Sequence, residues 1–465
     1  MDGLDSDLRK AVAVAGTTRD VVIAAGSLEA LPAVLTRTAP AETYVMVADD
    51  NTWAAAGRRV AAILEAARIG LAEPIVMSGY PRVKPSAEQS RDLARRLRAG
   101  RLLPIAIGSG VINDLVKHAA GQAETPYVCA PTAASMDGYA ASGAALREGG
   151  FKRTLACAAP VAIVADLEVI AEAPAIMAAW GYGDLAGKLV AGVDWIVADA
   201  LGEESLNAGP FAMVQDHLDD WLGNPAAIRA GDRTALGGLM RGLVMSGLAM
   251  QAHGNSRPAS GSDHQFAHLW EMEEVAVDGE PVSHGACVGV GCLSMLAAYE
   301  WLQWQDVGAI NPARLAERAP SLSALRADVQ ASFPLSFMAA NAAVETAAKA
   351  ASPAQVERRL RALRDNWPEI LRYLRKRLPR AATVRQWLDA VGAPSRAGAV
   401  GVPLEKHATD YARARLIRRR YTGLDLLHDL GWLDRAVADL FAAGGFWGPA
   451  RDAAPVDRSM QGGKA

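Results

Sequence analysis

The sequence predicts an α/β domain with a parallel sheet, followed by an all-α domain. Three features carry that prediction: six short apolar runs before residue 168, helical segments between them, and a near-absence of strand signals after Pro174. The runs are "DVVIAAG" (20–26), "TYVMVADD" (43–50), "EPIVMSG" (73–79), "LPIAIGSG" (103–110), "PYVCAPT" (126–132) and "VAIVADL" (161–167). They are nearly continuous in apolar character rather than alternating. That marks strands buried on both faces, hence a parallel sheet covered by helices. In such sheets ligands bind beyond the carboxyl ends of the strands, and these ends carry Gly26, Asp49, Gly108–Gly110 and Thr132. Between the last two runs, "AALREGGFKRTLA" predicts a hairpin turning at Gly149-Gly150.

Helical patterns dominate the rest. "SPAQVERRL" places Ser352 as a cap before Pro353, a helix start. "NWPEILRYLRKRL" predicts another start at Pro368. The expected organisation is residues 1–175 as the α/β domain, 176–451 as the helical domain and 452–465 as a small, polar, disordered tail. The arginine-rich stretch 358–380 reads as a solvated helix face.

Composition narrows the function classes. At 465 residues, 51% hydrophobic and 21% charged, the chain can bury a large core. A formal charge of −3 argues against nucleic-acid or membrane-surface binding. Cys129, Cys157, Cys287 and Cys292 show no CxxC spacing and fit reduced, buried thiols in a cytoplasmic protein. "MDGLDSDLRK" is no secretory leader, and Asp166, Glu168 and Glu172 interrupt the apolar stretch 157–180, so no membrane span is expected there.

Several stretches carry chemistry. "IAIGSGVINDLVKHAA" (105–120) runs from a strand through Gly108-Ser109-Gly110 into a helix. Such a turn brings backbone N–H groups and a helix N-terminus to a phosphate, or else serves tight strand–helix packing. Asp49, at a strand end, suits hydrogen bonds to a ribose, which favours NAD over NADP, or else serves as an ordinary turn residue. "PTAASMDGYAAS" (131–142) offers Thr132, Ser135 and Asp137, as a polar turn or as a loop between cofactor and substrate. In "SGSDHQFAHLWEM" (260–272), Ser262 and Gln265 fit a capping box, and His264, His268 and Glu271 share the helix face opposite Phe266, Leu269 and Trp270. Asp184, at a Gly-flanked helix start, and His284, before Gly285, add ligand types from separate helices. Three N/O ligands of this kind suit a divalent metal that keeps open positions. Cys287 and Cys292 lie in a small, apolar setting and read as core; His118, His217, His253, His407 and His428 read as structural or surface residues.

Together, "GSGVINDLVK", "PTAASMDGYA", "GGFKRT", "GYGDLAGK", "GSDHQFAHLWEM" and "HGACVGVG" resemble the sn-glycerol-1-phosphate dehydrogenases, in order and spacing over about residues 20–300. That family belongs to the iron-containing alcohol dehydrogenase and dehydroquinate synthase superfamily. "IRRRYTGLDLLHDLGWL" (417–433) resembles its longer bacterial branch. The resemblance implies a dehydroquinate synthase-like fold, with an N-terminal nucleotide-binding domain, a helical metal- and substrate-binding domain and the site between them. It implies Asp184, His264 and His284 as ligands of one divalent metal (zinc, nickel or iron). Asp49, Gly108, Ser109, Gly110, Val111, Ile112, Asn113, Asp114, Thr132, Ser135 and Lys152 would hold NAD or NADP, with Lys152 also the cation that would bind the substrate phosphate if its side chain reaches the cleft. Asp137, Asp184 and His268 would contact a small phosphorylated substrate. His268, near its ordinary pKa, would donate or relay a proton, or hydrogen-bond substrate. The implied reaction interconverts dihydroxyacetone phosphate and sn-glycerol 1-phosphate. A dehydrogenase for another polyol, sugar phosphate or phosphonate, or a dehydroquinate-synthase-like lyase, is the alternative. A homo-oligomer stays open. The chain departs from the family pattern at Ala141, where a serine is usual, and at Lys188, where many iron alcohol dehydrogenases have a fourth ligand.

Overall fold

The computed structural model describes residues 2–80, 83–148, 151–334 and 336–449. The expected Gly149-Gly150 turn and the tail from residue 452 lie outside the described residues.

The six apolar runs form one sheet. The strands are β1 (Asp20–Ala24), β2 (Tyr44–Asp49), β3 (Ile75–Met77), β4 (Leu103–Gly108), β5 (Val128–Pro131) and, after a hairpin, β8 (Ala162–Asp166). Their order is β1-β8-β5-β4-β2-β3, and every pairing is parallel. β4, β5 and β8 are buried along their whole length, as their unbroken apolarity predicts. The hairpin is β6 (Ala144–Glu148) with antiparallel β7 (Phe151–Leu155), forming a separate two-stranded ribbon. Arg147 on β6 makes an ion pair with Glu274, tying the ribbon to the helical part.

Beyond β8 the described residues are helical apart from a small ribbon, Ala276–Val277 with Glu280–Pro281. Its turn, Asp278-Gly279, has both residues at positive φ, as an Asp-Gly hairpin turn requires, and this signal is present in the sequence. The helices that build the site are Gly110–Gln122 after β4, then Ala175–Ala200, Arg233–His253, Ser262–Met272 and His284–Leu302. The last is long and apolar enough to cross a membrane, but it is 89% buried inside the protein.

Glycines let the helices carrying Asp184 and His284 touch almost backbone to backbone. A Cβ on Gly183 would stand 2.4 Å from the Gly285 carbonyl oxygen, and one on Gly285 would stand 2.0 Å from that of Trp180.

Two expectations need correction. Pro368 does not start a helix: Pro353–Arg377 is continuous, begun by a Ser352–Gln355 capping box, with Pro368 inside it. Buried Trp367 and the Asn366 amide, which donates to the Ala200 carbonyl at 3.0 Å, hold the helix through the proline. Asp184 is not at a helix start but is the tenth residue of the Ala175–Ala200 helix.

Candidate active site

Three helices bring Asp184, His264 and His284 together, with one ligand atom of each lying within 4.8 Å of the others. His264 is buried, in the first turn of Ser262–Met272, and His284 opens its own helix. Both imidazoles are aimed by carboxylates. His264 Nδ1 faces Asp263 Oδ2 at 2.5 Å, and His284 Nδ1 faces Glu271 Oε1 at 3.0 Å. With Nδ1 donating, each Nε2 is left as a lone-pair donor, the usual arrangement of metal-binding histidines. Glu271 also takes His268 Nδ1 at 3.2 Å through its other oxygen. His268, Glu271 and His284 thus form a second close triple, held by hydrogen bonds.

The predicted capping box does not form. Gly261 caps the His264 helix, and the Ser262 hydroxyl donates instead to buried Asp194 at 2.8 Å. Gln265 accepts from Thr422 at 3.1 Å. Tertiary partners have taken both side chains.

Lys188, one turn after Asp184, does not replace a ligand. Its fully buried ammonium donates to Asp184 Oδ1 at 2.7 Å and lies 2.8 Å from Asp137 Oδ2. Asp137 also accepts from Ser246 at 3.1 Å, and its N–H donates to Asp184 Oδ2 at 2.9 Å. Burial penalises the Asp184 anion, but Lys188, His284 and His264 outweigh it and hold this carboxyl below the usual range. Burial and the Asp184 charge push Asp137 up, against Lys188. Burial lifts Asp263 to about 7.

These residues fit a divalent cation. The donor set is one ionised carboxylate and two imidazole Nε2 atoms, each imidazole backed by a carboxylate, which is the chemistry a divalent cation with open positions takes.

His268 departs from its expected state. Burial, then the Arg418 charge, lower its pKa to about 3, so it is neutral at physiological pH. With Nδ1–H turned to Glu271, its Nε2 is a hydrogen-bond acceptor rather than a ready proton donor.

The coenzyme candidates lie at the strand ends. Ser109, Gly110 and Val111 are partly exposed, while Ile112, Asn113 and Asp114 are buried. The Asn113 N–H bonds to the Ser109 carbonyl, its amide oxygen accepts from Tyr127 at 3.1 Å, and Asp114 accepts from the Ala145 N–H at 3.1 Å. Asn113 and Asp114 are thus buried and bonded to Tyr127 and to the start of β6. Asp49 caps the next helix by accepting from the Thr52 N–H at 2.8 Å. Thr132 and Ser135 are buried, with the Ser135 hydroxyl 3.0 Å from that of Tyr139. Ala141, in place of the usual serine, is buried beside Gly247. Lys152 pairs with Arg147 in the ribbon; its side chain lies outside the described residues.

Lys188, Asp263 and Glu271 were not picked out as site residues by the sequence. Glu271 had a signal, since it shares the histidine face. Lys188 had one only as an oddity of position.

A parallel sheet with a glycine turn at a strand end, joined to a helical part that gathers Asp184, His264 and His284, is the architecture of metal-containing dehydrogenases. A probable glycerol dehydrogenase from Sinorhizobium meliloti shares this fold at a TM-score of 0.57 and 16% identity, over 91% of this chain and 98% of that one. Residues 22–174 match the iron-containing alcohol dehydrogenase family. The glycerol-1-phosphate dehydrogenase (NAD(P)+) of Bacillus velezensis is 30% identical over 386 residues, covering 83% of this chain and 85% of that one. The enzyme of the same name from Methanosarcina acetivorans is 31% identical, covering 62% and 78%. The chain belongs to the glycerol-1-phosphate dehydrogenase family of the iron-containing alcohol dehydrogenases.

Proposed function

We propose that this chain is a metal-dependent, NAD(P)-linked dehydrogenase that interconverts dihydroxyacetone phosphate and sn-glycerol 1-phosphate. The observation that carries the proposal is the Asp184–His264–His284 cluster, in a chain belonging to this family.

A zinc, nickel or iron ion bound there supplies Lewis-acid polarisation of the substrate C2 oxygen. The reduced nicotinamide supplies the hydride. The chain's own residues do the rest. The carboxylates of Asp263 and Glu271 fix the two imidazoles, so little reorganisation is needed when charge develops. Lys188 keeps Asp184 ionised and therefore able to bind metal and touch substrate. Asp137, held by Lys188 and Ser246, presents a polar contact beside it. Neutral His268 accepts a hydrogen bond at Nε2 from the substrate hydroxyl. On the coenzyme side, the N–H groups at Gly110, Val111 and Ile112 receive the pyrophosphate. Gly108 and Ser109 shape that turn, with Asn113 and Asp114 behind it. Asp49 binds a ribose, and Thr132, Ser135 and Lys152 complete the contacts.

The domain division at residue 175 belongs to the same reading, as does a cytoplasmic setting. So do a small-molecule partner rather than nucleic acid, and an oligomeric state to be measured.

The test is NADH or NADPH oxidation by the purified chain with dihydroxyacetone phosphate, before and after chelation. Metal-dependent oxidation with sn-glycerol 1-phosphate as product is expected. Full activity after complete metal removal would falsify the metal role. Phosphate release without net coenzyme oxidation, from a carboxylated ring substrate, would favour the lyase.

A further inference from the structure

The substrate proposed above carries a phosphate, and Lys188 is not free to meet it, being enclosed between Asp137 and Asp184. A different cation reaches the cleft from far along the chain. The Leu404–Leu416 helix is followed by Arg418, Arg419 and Arg420, and these three part ways. Arg419 turns outward in a two-pronged pair with Glu345, at 2.7 and 3.0 Å. Arg420 donates to the Ser260 carbonyl at 2.6 Å.

The segment behind them is stitched to the first turn of the His264 helix. Fully buried Arg257 donates to the Tyr421 carbonyl at 3.2 Å and to that of Asp194 at 2.7 Å. The Gly423 N–H donates to Asp194 Oδ1 at 2.7 Å, and Ser262 occupies the other oxygen of the same carboxylate. Thr422 bonds to Gln265 at 3.1 Å. Buried Asp194 and Arg257 thus fix residues 420–423 against the metal-binding helix.

Arg418, at the head of this anchored segment, is half-buried and makes no hydrogen bond or ion pair among the described residues. Its neighbours Arg420 and Thr422 bond to Ser260 and Gln265, on either side of His264, so Arg418 stands beside the metal-binding helix. Its charge is felt by Glu345 first, then by Glu271 and Asp263, and by His264 and His268. A half-buried guanidinium whose donors make no hydrogen bond is costly to hold and becomes worthwhile when an anion arrives. Its planar fork suits the oxygens of a phosphate.

We infer that Arg418 binds the phosphate of the substrate and so sets the preference for phosphorylated over unphosphorylated ketones. This rests on the phosphorylated substrate proposed above. Arg418 is then a specificity residue supplied by the C-terminal part of the chain.

The test compares the metal-loaded full-length enzyme with Arg418→Ala and Arg418→Lys. Arg418→Ala should raise KM for dihydroxyacetone phosphate roughly 30-fold or more, the loss expected for a charge-assisted contact. KM for the coenzyme should stay within about twofold. Inorganic phosphate should inhibit the wild type competitively and Arg418→Ala far less. Arg418→Lys, which keeps the charge but not the fork, should fall between them and guards against a folding defect in the alanine variant. Unchanged KM and unchanged phosphate inhibition in Arg418→Ala would overturn the assignment while leaving the substrate reading intact. So would equal losses for coenzyme and substrate, which mark a merely structural role. A wild type that turns over no dihydroxyacetone phosphate would sink the substrate reading, and Arg418's role with it.

Discussion

At the carboxyl end of β4 the chain offers backbone: a Gly-Ser-Gly turn and the first N–H groups of a helix, with nearby side chains turned inward. At the seam of the Asp184, His264 and His284 helices it offers side chains, each charge held by another. The two banks of one cleft therefore differ in how they tolerate change. Backbone donors survive most substitutions around them. A buried charge network fails when one member goes, because the partner left behind is both charged and dry.

The largest break is expected at the metal itself. His264→Ala removes one of the three proposed ligands and should lower kcat/KM at least ~1,000-fold, since the Lewis-acid contribution is several kcal/mol. Metal content measured on the same sample should fall in parallel. A variant that keeps its metal and works within tenfold of wild type would remove His264 from the ligand set. On the coenzyme bank no single side chain should matter as much.

Lys188→Met comes next, and its effect is on stability. It leaves Asp137 and Asp184 facing each other with no cation between them, both nearly or fully enclosed. Orphaning a buried partner costs about 3–5 kcal/mol. Urea denaturation should show the full loss in metal-free protein and a smaller one with metal bound, because the ion takes over part of the compensation. Equal losses with and without metal would mean that Lys188 and the metal do not share Asp184.

A third effect scales with pH and belongs to the scaffold behind the metal bank. His407 is fully buried, bonds to Ser294 at 2.8 Å and packs against Phe266, Trp270, Tyr411 and Trp447. Burial, then Lys406, lower its pKa to about 3. The unfolded chain takes up this proton near pH 6.5, whereas the folded chain refuses it until about 3. Its contribution is therefore present in full above pH 6.5 and is lost as pH falls, by about 1.4 kcal/mol per pH unit. His407→Gln should flatten the fall in stability between pH 6.5 and 5 by about one proton's worth. An identical pH slope in the variant would show that His407 titrates normally.

The same contrast explains what the sequence discloses. The sheet is legible because strands buried on both faces need uninterrupted apolar runs, a local property. The clustered Asp184, His264 and His284 are legible because they stand in recognisable blocks. Their supporting partners are not, since pairing across space leaves no local mark. Lys188 meets Asp137, and Asp194 takes the hydroxyl that Ser262 would otherwise spend on a cap. Pro368 misleads for a related reason. A proline favours helix starts, but Trp367 and Asn366 anchor this helix to its neighbours, and packing outweighs one lost N–H.

The smallest and sharpest test makes one substitution on each bank. Gly183→Ala puts a methyl 2.4 Å from the Gly285 carbonyl oxygen, which belongs to a helix backbone and cannot move alone. The helices must part, at a cost of about 1–3 kcal/mol, and metal affinity should drop with stability. Gly110→Ala puts its methyl 2.6 Å from Met136 Sδ, near the end of a flexible side chain that can swing aside. The new alanine also favours the helix it begins, by about 0.5–1 kcal/mol. Stability should barely change, and KM for the coenzyme should rise only about threefold with metal content intact, since Met136 shifts but the N–H groups remain. Thermal melts and coenzyme kinetics on both variants measure the difference directly. If Gly110→Ala proved the more damaging of the two, the glycine turn would be a tight packing joint rather than an open cradle, and the coenzyme would have to be held elsewhere.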